Sequence, residues 1–164
     1  MDLLESIQTS FSDSYKEARD RFLNTATAKQ IDIQSYINPN IGSLKEQLSC
    51  DTAWMGPHNA KYVLMSISGT HGVEGFCGSG CQIDWMSRTS VNDLPNDVAL
   101  LFIHAINPFG FSWCRRVTEE GCDLNRNYLD FSKPLPPNEG HDALVDYFVP
   151  SSLDAQTMEN AEME

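Results

Sequence analysis

Two short apolar runs with a helical stretch between them constrain this chain most. Tyr62-Val-Leu-Met-Ser-Ile67 and Ala99-Leu-Leu-Phe-Ile-His-Ala-Ile106 are continuous hydrophobic segments bounded by turn residues. Such runs read as strands covered on both faces. Between them, residues 76–88 place Phe76, Gly80, Ile83 and Met86 at helical spacing. Strand, helix, strand predicts a crossover unit with its two strands parallel in one sheet. The expected class is therefore α/β, a mostly parallel or mixed sheet flanked by helices. Loops after such strands lie at the carboxyl edge of the sheet, where open α/β folds place their sites.

The remaining elements follow from the same kind of pattern. Leu3, Leu4, Ile7, Phe11, Tyr15, Ala18 and Phe22 predict an amphipathic helix over 3–28. Asn38-Pro-Asn-Ile-Gly42 reads as a loop, Leu44 to Trp54 as one or two short strands, and Met55-Gly-Pro-His-Asn59 as a turn. Residues 107–140 are polar and loop-like, and Asp142 to Phe148 reads as a short helix. Residues 1–150 are expected to form one domain part, followed by an acidic, mobile tail over 151–164.

The chain has 164 residues and a formal net charge of −12. Residues 1–50 carry seven acids against five bases, and residues 51–164 carry sixteen against six. That balance argues against nucleic acid or an anionic membrane as partner. No apolar stretch approaches the roughly 20 residues that span a bilayer. The charged N-terminus lacks a signal-peptide core, so the expected location is cytoplasmic. Five cysteines without a CxxC pair read as reduced, small, buried residues. Cys77 and Cys81 stand four apart and share a helix face.

Chemistry is concentrated after the two strands. His71-Gly-Val-Glu74 follows the first, with a histidine and a glutamate three positions apart. Two ligands from one short turn are a common way to hold catalytic zinc. Alone the pair is weak, because a helix N-terminus with Glu74 serving the dipole explains it equally well. After the second strand come Asn107-Pro-Phe-Gly110, Arg115-Arg116 and Asp123-Leu-Asn-Arg126-Asn127. Arginine forks in a polar loop suit recognition of a carboxylate or carbonyl. Glu119 and Glu120 beside them read as exposed loop acids or salt-bridge partners. Of the other histidines, His58 lies in a turn, His104 reads as a core residue within a strand, and His141 follows Glu139-Gly140.

HGVEG, NPFG, RR and DLNRN in this order resemble the zinc carboxypeptidase superfamily. The pattern is most similar to a bacterial domain-of-unknown-function branch of metallopeptidases, allied to succinylglutamate desuccinylase and aspartoacylase. The resemblance runs over about residues 40–150. It implies His71 and Glu74 as the first two ligands of one Zn2+, and Asp123 as the carboxylate that orients the ligand histidine. It implies Arg116, or Arg115, as the group that polarises the scissile carbonyl. Asn125 and Arg126 are implied as the receivers of a substrate carboxylate. The implied reaction is zinc-assisted hydrolysis of an amide or peptide bond next to a carboxylate, on a small peptide or an N-acyl amino acid.

Members of that superfamily run longer, and their third zinc ligand and general-base glutamate come later in the chain. Nothing after Asp130 matches either. The expectation is thus an N-terminal part of the fold. The alternative function is an inactive fragment or metal-binding module lacking the third ligand and the base. A sheet cut part-way would expose an unpaired edge and favour self-association.

Overall fold

The computed structural model describes residues 7–149 and Ser152. They fall into two compact units, divided between Tyr128 and Leu129. The first is built on a four-stranded sheet: β1 (Asp32–Ile41), β2 (Gln47–Met55), β3 (Tyr62–Ile67) and β4 (Val98–His104), in the order β1-β2-β4-β3. Its helices are α1 (Tyr15–Ala28), α2 (Glu74–Arg88) and the short α3 (Pro108–Ser112). In the second unit, α4 (Glu139–Phe148) is capped by Asn138, whose side chain accepts from the His141 amide at 3.1 Å.

The predicted crossover is present: β3 and β4 pair in parallel with α2 between them in sequence. The sheet as a whole is mixed, because β1–β2 and β2–β4 are antiparallel. Alternation of side chains along each strand gives the sheet two unlike faces. On one face Ala53 and Met55 of β2 and Leu100 and Phe102 of β4 meet Phe22 and Ala26 of α1 and Ile83 and Met86 of α2. On the other, Val63, Met65 and Ile67 of β3 are 46%, 51% and 47% exposed. Leu64, on the helix-covered side, is also exposed. The expectation of a strand buried on both faces fails because β3 is an edge strand, with β4 as its neighbour on one side only among the described residues.

Two further expectations shift. The predicted helix is interrupted: Ile7 and Gln8 are helical, residues 9–14 are not, and α1 begins at Tyr15; the positions Leu3 and Leu4 lie outside the described residues. Ser14 stops it on the N-terminal side by accepting from the Glu17 amide, and Glu17 in turn accepts from the Asp13 amide. Serine followed three residues later by glutamate is a helix-start signature, and it overrides the apolar spacing that runs back through Phe11. Asn38-Pro39-Asn40 lies inside β1 rather than in a loop. Proline is tolerated there because β1 is the other edge of the sheet and its register shifts between Ile37 and Ile41.

The covered face carries a buried polar group of residues. Asp51 of β2 is fully buried and takes a two-pronged contact from Arg19 of α1, at 2.7 Å from Nε and 3.1 Å from Nη2. Ser49 Oγ donates to the same carboxylate at 3.0 Å. Tyr15 closes the group: its hydroxyl donates to the Ser49 carbonyl and accepts from the Ser49 amide, both at 2.8 Å. Tyr15 is one side chain of a second apolar cluster, with Ala18, Leu48, Ala105 and Phe111.

His104 of β4 lies opposite Asp51 in the strand register. It is a core residue, as its sequence position predicts: fully buried, stacked on Phe22 at 4.6 Å between ring centres, with Ser79 Oγ 2.8 Å from Nε2. Its Nδ1 has no hydrogen-bond partner. Desolvation pushes its pKa down to about 4, against the weaker pull of Asp51. In the unfolded chain an imidazole titrates near 6.5. The buried ring's contribution is therefore complete above pH 6.5 and is lost as pH falls toward 4. That loss amounts to about 3 kcal/mol. Chemical denaturation of the wild type and of His104→Gln at pH 7, 5.5 and 4 should show a shallower pH dependence in the variant. Parallel curves would refute this account.

Candidate metal centre

The site starts where β3 stops. Beyond Ile67 the chain stays tied to β4: the Ser68 amide donates to the Ile103 carbonyl, and the Ser68 and Gly69 carbonyls accept from the amides of Ile106 and Asn107. Gly69 has φ +65°, and a Cβ there would meet Ala105 Cβ at 2.5 Å. Glycine is what allows this turn to form against the neighbouring loop. Two residues on, His71 is buried, at 7% exposure. Glu74 follows as the first residue of α2, its side chain 71% exposed.

Gly72 seats the turn. Its amide donates to the Arg115 carbonyl at 2.9 Å, and a Cβ on it would collide with the Gly110 carbonyl and stand 2.6–2.7 Å from the Arg115 main chain. Gly72→Ala should destabilise the chain by roughly 1–3 kcal/mol through overpacking, displacing His71 with it. A thermal melt unchanged from wild type would contradict this.

Four of the predicted residues come together. His71 Nδ1 is 3.1 Å from Glu74 Oε2, and Nε2 is 3.0 Å from Asp123 Oδ1. Arg116 Nε donates to Asp123 Oδ2 at 2.9 Å, and the Asn125 amide donates to Oδ1 at 2.9 Å. These contacts, led by the one with His71, hold the Asp123 carboxyl down at about 2, so it is ionised. The remaining predicted side chains sit apart, Asn125 joining only through its main chain. The Asn125 and Arg126 side chains are exposed, Arg126 reaching only the Asn125 carbonyl at 3.0 Å. Arg115 contributes its main chain to the turn, while its side chain is exposed. Glu119 is no partner of the arginines; it accepts from the side-chain amides of Asn38 and Asn40. His58 and His141 are exposed, beside Asp32 and Asp142.

One positioning residue carried no assigned role in the sequence. Asn107 is 2% exposed; its Oδ1 accepts from the Gly110 amide at 2.8 Å and its Nδ2 donates to the Thr70 carbonyl at 3.3 Å. It caps α3 and braces the peptide before His71 at once. The signal was available: Asn followed by Pro108 is a helix N-cap with proline at the first helical position.

The arrangement poses a charge question. A protonated imidazole donates to both carboxylates, whereas a neutral one has a single N–H, which Asp123 accepts at Nε2. The Nδ1 lone pair then faces the Glu74 carboxylate at 3.1 Å. In that form, a cation between Nδ1 and Oε2 would satisfy both acceptors. Two donors each about 2.0–2.1 Å from a tetrahedral zinc stand about 3.3 Å apart, so the observed separation fits an ion held by Nδ1 and Oε2. Asp123 fits the partner that fixes the ring from behind. Among the described residues no cluster of three His, Cys, Asp or Glu donors is gathered.

The family described as protein of unknown function, DUF2817, matches residues 11–164. The chain belongs to the DUF2817 family. No curated protein matches it. Among solved structures, the DUF2817 chain is similar to a Zn-dependent exopeptidase from Parabacteroides distasonis, with 9% identity and TM-score 0.41, covering 92% of this chain and 54% of that one. It is also similar to the glutaminyl cyclases of Tannerella forsythia (8% identity, TM-score 0.42, 82% and 48% covered) and Fimbriiglobus ruber (8%, 0.42, 60% and 42%). The DUF2817 chain thus spans about half the length of these structures. Among its described residues no helix is long and apolar enough to cross a membrane.

Proposed function

We propose that this chain carries part of the centre of a zinc-dependent hydrolase acting on an amide or peptide bond next to a carboxylate. The observation that supports this best is the His71 ring held between two carboxylates, one ionised and braced, the other open to solvent. His71 and Glu74 would hold the ion, and Asp123 keeps the ring's tautomer and orientation. Bound there, zinc supplies a water nucleophile at neutral pH by lowering its pKa to about 7. Arg116 is pinned through Nε, which leaves its terminal nitrogens to polarise the scissile carbonyl. Asn125 and Arg126 are candidates to receive the substrate carboxylate by virtue of their exposure beside Asp123. The ordered motifs support placing the activity near the zinc carboxypeptidases and the desuccinylase and aspartoacylase group. The substrate is then a small peptide or an N-acyl amino acid.

A second reading has its own support. With two donors in reach and no third among the described residues, the chain acts as a metal-binding module without turnover. Zinc content after dialysis, measured with hydrolysis of N-acetyl amino acids and of short peptides, separates the two. Stoichiometric zinc with hydrolysis of either substrate supports the hydrolase. Stoichiometric zinc without turnover supports the module, and a metal-free, inactive chain overturns both.

Self-association belongs to the same proposal. The outer edge of β3 carries no charge and no proline from Tyr62 to Ile67, and edges of that kind pair with other strands. Sedimentation velocity should show concentration-dependent dimers or larger species, reduced by Met65→Lys. A monodisperse monomer at all concentrations would refute it.

A further inference from the structure

The cysteines do not lie where their composition predicts. Cys77, Cys81 and Cys114 are exposed, and Cys50 and Cys122 are only partly buried. Core placement fails for Cys77 and Cys81 because α2 turns Ile83 and Met86 toward the sheet, together with Ser79 and Gln82. The cysteines share a face four residues apart, where helix geometry sets Cβ atoms roughly 5–6 Å from each other. Partial desolvation, followed by the neighbouring Cys77, raises the Cys81 thiol. The acids on this stretch of α2 are Glu74 and Asp84. The nearest cation on the helix, Arg88, is engaged by Asp84 at 2.7 Å.

We infer that Cys77 and Cys81 form a two-thiolate site for a soft, low-coordinate cation, of which Cu(I) is the biological representative. Thiolates select soft ions by ligand type, and the pair offers two sulfurs from one face of one helix. On binding, two S–H bonds lose their protons to solvent, two S–Cu bonds form, and copper stays in the +1 state. A hard or borderline ion finds too few ligands here, whereas a two-coordinate ion is satisfied by the pair. The site is independent of the His71–Glu74 turn and of the hydrolase reading.

The test is an anaerobic titration of Cu(I) into the reduced chain against a chromophoric Cu(I) chelator, with circular dichroism as the check on folding. A variant with Cys50, Cys114 and Cys122 all changed to serine should keep one tightly bound Cu(I). Cys77→Ser and Cys81→Ser, each made in that background, should lose at least tenfold in affinity. His71→Ala should bind copper as the wild type does. Loss of Cu(I) in the triple variant, or full affinity in either single-thiol variant, would overturn the assignment. Copper that tracks His71 instead would overturn it too, by moving the ion to the other turn.

Discussion

His71→Ala should bring bound zinc from stoichiometric to background, and hydrolysis should vanish with it. Among the described residues the ring is the group that faces both carboxylates, and alanine would leave Glu74 as a lone, exposed donor. The informative companion is Asp123→Asn. It keeps the shape of the contact but removes the charge that holds the N–H on Nε2. Changes of that kind weaken metal binding by about 10–100-fold. Zinc affinity by competition with a fluorescent chelator therefore ranks wild type first, Asp123→Asn second and His71→Ala last. Zinc retained in His71→Ala would remove the metal centre from consideration, and equal affinities for wild type and Asp123→Asn would remove the bracing role.

The largest expected effect on stability lies elsewhere, at Arg19. Its guanidinium reaches a carboxylate with no exposure at all. Burial alone would raise the Asp51 pKa; Arg19 and the hydroxyls of Ser35 and Ser49 overcome it and hold the group ionised. Arg19→Ala leaves that charge uncompensated, at a cost of about 3–5 kcal/mol. Arg19→Met with Asp51→Leu removes both charges and should be far milder than the single change, since apolar replacement of a buried pair is often neutral. Urea denaturation at pH 7 reads both. A single variant within 1 kcal/mol of wild type would mean that water reaches Asp51 after all.

What could be read ahead of the structure was what the chain encodes locally. The β3–α2–β4 unit was legible because period and turn residues agree over each short segment. The His71–Glu74 pair was legible for the same reason, being one turn long. The start of α1 was equally encoded, in Ser14 and Glu17, but the apolar spacing through Phe11 pointed the other way and carried the reading. β1 was hidden by Pro39, which argues against a strand until one knows that the strand is an edge. The exposure of Cys77 and Cys81, and of β3, depends on which neighbours the sheet has. No local pattern contains that. The Asp51–Arg19 pair, thirty-two positions apart, was illegible for a similar reason: a lone aspartate in a strand says nothing of the helix laid over it.

The position of β3 in the sheet has a thermodynamic consequence. The same six residues that present an open edge run within four positions into His71. A strand that pairs with that edge restrains the peptide that aims the imidazole. An ion held by His71 and Glu74 restrains the same peptide from its other end. If the chain both pairs through this edge and binds zinc as proposed, the two events are linked, and linkage is reciprocal: whatever factor zinc adds to pairing, pairing adds to zinc affinity. Assembly measured with and without zinc, and zinc affinity measured below and above the association concentration, should return one and the same coupling factor.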